Sequence, residues 1–163
     1  MSGTARNGEQ KDRKNSSTDS AGGFSAEERA AMTARAAEVR AEARGGRGAK
    51  KAAADEAAVL AAIAGMAPPD RELAERVHAV VAAAAPELAP KLWYGQPAWA
   101  RAGKVVCFFR SGHQDKERYS SFGFSTEAQL DDAGGLWPTA FALTELSEAG
   151  AATLGELVRK AVG

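Results

Sequence analysis

The sequence predicts an α+β domain: a four-stranded antiparallel sheet packed by helices, preceded by a helical N-terminal extension. Three observations carry this. Apolar residues recur at helical spacing up to Ala84, alternate with a period of two from Leu92, and return to helical spacing after Ser147. The connections between consecutive alternating segments are short, which favours antiparallel neighbours. Ten of the eleven aromatic residues lie between Trp93 and Phe141, and aromatics bury the most apolar area per residue, so the core is centred there.

Residues 1–23 read as a disordered tail of Ser, Thr, Asn, Gly and charge, too poor in apolar groups to offset the entropy of ordering. Residues 24–51 read as an N-terminal helix and a glycine-rich linker. Ser25 and Glu28 have capping-box spacing, and Ala, Arg and Glu fill the segment to about Arg44. Its apolar stripe is thin, formed by Met32, Ala36, Val39 and Ala43, which predicts a loosely docked helix. Gly45-Gly46-Arg47-Gly48 breaks it. That break lacks the preceding strand and the Gly-Lys-Ser/Thr ending of a phosphate cradle, so it reads as a linker.

Residues 52–163 read as the folded domain. A helix from about Ala52 to Gly65 grips with Val59, Leu60 and Ile63. Pro68-Pro69 pre-set the next helix, Asp70 and Glu72 suit its first turn, and Leu73, Val77, Val80, Val81 and Ala84 form its apolar face. The first strand is predicted over Leu92 to Arg101. A hairpin turn follows at Arg101-Ala102-Gly103-Lys104. The second strand, Lys104 to Arg110, puts Val105, Cys107 and Phe109 on one face and Val106 and Phe108 on the other. A polar loop from Ser111 to Glu117 leads to a third strand, Arg118 to Ser125. Leu130 to Pro138 is a turn-rich connection, and Thr139 to Leu146 is the fourth strand. Ser147 caps a last helix with Leu154, Leu157, Val158 and Ala161 inward. The helices cover one face of the sheet. Both faces of the second strand are apolar, so the other face is expected to meet a second subunit or the N-terminal helices.

Composition excludes several function classes. Residues 1–51 carry eleven Lys/Arg and seven Asp/Glu, the remainder ten and fourteen, so the ends differ by +4 against −4 around a net of zero. That is no basic stripe for nucleic acid. No run of about 18 apolar residues predicts a membrane span. Cys107 is the single cysteine, so no intramolecular disulfide forms. With no apolar stretch of a secretory signal before Ser20, a cytoplasmic protein is the expectation. No Ser-His-Asp order, paired catalytic carboxylates or nucleotide fingerprint is present, and a non-catalytic role is favoured over an enzyme.

Trp93, Tyr94 and Trp99 are the candidate walls of a pocket for a flat or apolar ligand, with Gly95 and Pro97 holding the backbone open between them. Phe109, Phe122 and Trp137 complete the candidate ligand-binding set. The same rings also serve to close a small core. Cys107, mid-strand without a local base or cation, reads as buried and inert. His113, Asp115 and Glu117 are weak metal candidates, interleaved with Lys116 and Arg118. His78 is a boundary residue beside Val77.

The run Trp93-Tyr94-Gly95-Gln96-Pro97, then Trp99, a Gly-Lys turn and Val105-Val106-Cys107-Phe108-Phe109 resembles the YdhG/YdeI-like domain of unknown function. Phe122-Gly123-Phe124, Asp131-Asp132, Gly134-Gly135-Leu136-Trp137 and Leu157-Val158-Arg159-Lys160-Ala161 follow in that family's order. The resemblance spans residues 55–163. It implies a small antiparallel sheet with helices and, because some members carry a frataxin-like iron-chaperone label, iron as a possible cargo. Three roles follow as expectations: a small-molecule or partner-binding module with an aromatic pocket, an intracellular iron-binding protein, or a homodimeric module assembled through its sheet.

Overall fold

In the computed structural model, residues 24–43 and 48–163 are described. The polar segment 1–23 and most of the glycine-rich break lie outside them. Among the described residues, four helices and five strands follow in the order α1 (Ala26–Ala43), α2 (Gly48–Ala64), α3 (Asp70–Ala84), β1 (Ala89–Trp93), β2 (Gln96–Arg101), β3 (Lys104–Arg110), β4 (Ser120–Phe124), β5 (Ala140–Leu143) and α4 (Glu148–Val162). The class is α+β, with one antiparallel sheet ordered β1-β2-β3-β4-β5.

The sheet has five strands where the sequence predicts four. The stretch predicted as one strand over Leu92 to Arg101 is a hairpin. Tyr94 (φ 52°) and Gly95 (φ 78°) both occupy the left-handed region, which is the type I′ geometry that matches strand twist. Ala102 (φ 51°) and Gly103 (φ 79°) repeat it at the predicted second turn. Tyr at the first position of such a turn is a weak sequence signal. Here the turn is held from outside: the Gly95 N–H donates to Glu38 Oε1 of α1 at 2.9 Å.

The two sheet faces have different partners. Trp99, Cys107, Phe109, Phe122 and Phe124 join Val59 and Ile63 of α2, Leu73, Val77 and Val81 of α3, and Leu154 and Val158 of α4 in one buried cluster. Val59, Trp99, Phe109 and Phe122 are essentially inaccessible. α2 lies against β1 and β2, and α3 against α4. Residues directly opposite across an antiparallel pair share a face. The pairs Lys91–Ala98, Ala98–Phe108 and Phe108–Gly123 therefore define the other face. The register shift between Trp99 and Ala100 leaves Val106 of β3 as the extra residue, and Val106 and Cys107 are buried in succession.

Caps follow local chemistry. Ser25 Oγ accepts from the Glu28 N–H at 3.1 Å, and Ser147 Oγ accepts from the Gly150 N–H at 3.1 Å. α2 begins four residues before the predicted Ala52, and its first turns are fastened by the Lys51–Asp55 pair at 2.8 Å. Among the described residues, no helix is long and apolar enough to cross a membrane.

Candidate functional site

The β1–β2 turn and the β3–β4 loop emerge at the same end of the sheet. Between them, on the face away from the helix-packed core, lies a cleft of about 240 Å³. Trp93, Tyr94 and Phe108 supply its rings, and Gln96, Arg110 and Asp115 its polar end. The Trp93 ring lies 5.1 Å from Tyr94, nearly edge-on, and 5.1 Å from Phe108 at a tilt of 59°. Tyr94 is 47% exposed, and Trp93 and Phe108 are half-buried. These rings stay partly exposed beside the cleft, and the hydrophobic cluster is complete without them.

Glycine shapes the floor. Gly123 faces Phe108 across the β3–β4 pair, and a Cβ there would stand 2.3 Å from Phe108 Cζ. The absent side chain leaves room over Gly123 for the far end of the Phe108 ring.

The polar end is built by the loop folding back on β3. Asp115 Oδ2 accepts from Arg110 Nε, and more weakly from Gln96 Nε2 at 3.4 Å. Arg110 also pairs with Glu117 at 3.1 Å. The Asp115 hydrogen bond holds the Arg110 guanidinium above its ordinary pKa, so it stays charged. Gln96 Oε1 accepts from the Ser111 N–H, Ser111 Oγ donates to Asp70 Oδ2, and the same Asp70 oxygen accepts from the His113 N–H at 2.9 Å. Asp70, Gln96, Ser111 and Ser120 are all buried. This network ties the start of α3 to the loop and fixes Asp115 in place.

α1 spans the same end of the sheet. Besides the Glu38–Gly95 bond, Arg35 sits 5.8 Å over the Tyr94 ring and Glu27 pairs with Lys116 at 2.7 Å. The hydrogen bond from Lys116 holds the Glu27 carboxyl below its ordinary value. These links are polar, consistent with the thin apolar stripe and with exposed Met32 and Val39.

The predicted ligand-binding residues divide. Trp93, Tyr94 and Phe109 line the cleft, Phe109 while its side chain is fully buried. Gly95 forms the adjoining turn. Trp99 is not a wall of the cleft: its indole faces α3, 6.0 Å from the His78 ring. Pro97 and Phe122 are buried, and Trp137 packs against the core from the β4–β5 connection. Sequence reasoning omitted Phe108, Gln96, Arg110 and the α1 residues Arg35 and Glu38. For Phe108 the signal existed, since alternation places it opposite Cys107 and Phe109.

Cys107 is buried in the core, and burial pushes its thiol up to about 12. Asp115 and Glu117 turn to Arg110, while His113 is exposed and lines a second opening with Asp70 and Tyr119. Among the described residues, no group of three or more His, Cys, Asp or Glu is placed to hold a metal ion. Among these described residues, the iron expectation finds no such donor group.

No family model, curated protein or solved structure matches the chain. The likeness to the YdhG/YdeI-like domain rests on the short motifs themselves.

Proposed function

We propose that this chain is a YdhG-like, non-catalytic binding module that takes a flat, largely apolar ligand in the Trp93–Phe108 cleft. The observation that carries it is the open aromatic hollow on the sheet face that the core does not use. Three rings at van der Waals spacing offer stacking to a fused-ring system, and stacking tolerates variation in the ring. Arg110 and Asp115, cross-linked at one end, offer a donor and an acceptor to a polar substituent. Their mutual pairing lowers the cost of leaving both charged in a partly closed site.

The full chain, screened by saturation-transfer NMR against flat aromatic and heteroaromatic fragments, tests this. Fused-ring fragments are expected to bind, and Gly123→Ala, which displaces Phe108, is expected to weaken them at least tenfold. Absence of binding for every fragment at millimolar concentration overturns the proposal.

A further inference from the structure

α1 crosses the end of the sheet where the cleft opens. Its half-buried positions are Glu27, Ala31, Ala34, Arg35 and Glu38, a helical spacing that turns one face to the domain. That face carries two alanines and three charged side chains. Met32 and Val39, the larger apolar residues of the helix, are exposed instead. Among the described residues, the core cluster includes none from α1. Charge and hydrogen bonds therefore dock this helix, and apolar burial adds little.

The anchors fall on the two walls of the cleft. At one end, Glu27 pairs with Lys116 at 2.7 Å, next to Asp115 in the β3–β4 loop. At the other, Glu38 accepts from the Gly95 N–H at 2.9 Å, and Arg35 lies 5.8 Å over the ring of Tyr94. Glu38 follows Glu27 by eleven residues, a span of about 16 Å of helix. None of the described α1 residues lines the cleft, so the helix bridges the rim without filling the hollow. The two walls are held unequally. The loop has its own anchor in the buried Asp70–Ser111 bond and in the bond from the His113 N–H. The Gly95 N–H, at the second position of its turn, has Glu38 as its partner among the described residues. Ala34 packs beside it: a Cβ on Gly95 would stand 3.1 Å from that of Ala34.

We propose that α1 is a detachable brace. Docked, it ties the β1–β2 turn to the β3–β4 loop and sets the distance between Tyr94 and Asp115. Undocked, it leaves the turn free to move. The part that concerns affinity rests on the ligand reading above: a ligand that touches both walls binds the braced form better, so ligand and docked α1 favour each other equally. Ionic strength shifts the balance. The screening length falls from about 10 Å at 0.1 M salt to about 3 Å at 1 M, which weakens exposed pairs such as Glu27–Lys116. A lone helix of this length is marginal in water, so α1 loses its internal bonds when it leaves the sheet. The core stays whole, because α1 is no part of it.

Hydrogen exchange of the full isotope-labelled chain, read amide by amide by NMR, tests this. The Gly95 amide reports docking directly. Lys116→Gln alters neither the turn nor Glu38, yet is expected to speed exchange at Gly95 and along α1 at least threefold. Salt at about 1 M is expected to do the same. Glu38→Ala is expected to speed Gly95 at least tenfold. Lys116→Arg, which keeps the charge, is expected to stay within twofold of the parent. The β3 amides are expected to be unchanged throughout. Gly95 exchange that Lys116→Gln and salt leave untouched overturns the inference, and so does an acceleration that extends equally to β3. Indole supplies the ligand arm. Its affinity is expected to fall at least threefold in Lys116→Gln, and equal binding by parent and variant overturns the brace as a control on the cleft. If no flat fragment binds the parent, the ligand reading falls alone, and Gly95 exchange still decides the brace.

Discussion

The Trp99 indole N–H donates to Nδ1 of His78 at 3.3 Å, and the two rings stack 6.0 Å apart. This joins β2 to α3 and commits the largest core side chain to the helix-packed face. Trp99→Phe removes the donor and part of the buried ring. It is expected to lower stability by about 1–3 kcal/mol, read by urea unfolding monitored by circular dichroism.

Asp70 organises the loop beside the cleft, because one buried carboxylate oxygen accepts from both the Ser111 hydroxyl and the His113 amide. Asp70→Ala leaves these donors unpaired and is expected to cost about 2–4 kcal/mol. Asp70→Asn retains an acceptor and costs less. Trypsin cleavage after Lys116 and Arg118 is expected to accelerate in the alanine variant, and unchanged cleavage would show that the loop holds its shape without this anchor.

Two glycines give opposite expectations. A Cβ on Gly112 would lie 2.3 Å from the Tyr119 carbonyl oxygen, a backbone clash, so Gly112→Ala is expected to cost about 2 kcal/mol or more. A Cβ on Gly123 meets the far end of the Phe108 ring, which can swing away. Gly123→Ala is expected to keep the melting temperature within a few degrees of the parent's and to alter fragment binding. Thermal melts of both variants check the contrast.

Cys107 makes stability depend on alkaline pH. Its folded pKa is about 12, raised from 9.0, so the neutral thiol is the form the fold accepts. The contribution is whole below about pH 9. It is lost as pH rises, because the unfolded chain releases its proton first, at about 1.4 kcal/mol per pH unit up to about pH 12. The difference in urea stability between parent and Cys107→Ala is expected to narrow across that window. A difference that stays constant would mean that the thiol ionises without penalty.

Much of the fold is legible in the sequence where local signals agree. The bounds of β3 and the Ser147 cap match the expectation because unbroken alternation, a glycine turn and a capping residue all specify them. The β1–β2 hairpin is not legible: its turn opens on Tyr94, and what steadies it is Glu38, far away in sequence. The side taken by Trp99 depends on tertiary choice, since α3 supplies His78 as partner. Trp93 and Tyr94 mark the cleft in the sequence, but the Arg110–Asp115–Gln96 end exists only once the loop folds back on β3.

The most direct measurement compares fragment affinity and unfolding free energy in Trp93→Ala and Trp99→Ala. Trp93→Ala is expected to abolish binding and to cost about 1 kcal/mol or less, because its ring is half-exposed and outside the core cluster. Trp99→Ala is expected to cost about 3–5 kcal/mol and, in the fraction that stays folded, to leave affinity within about threefold of the parent's. Full affinity retained by Trp93→Ala, or binding lost only in Trp99→Ala, would contradict a ligand site on the open face.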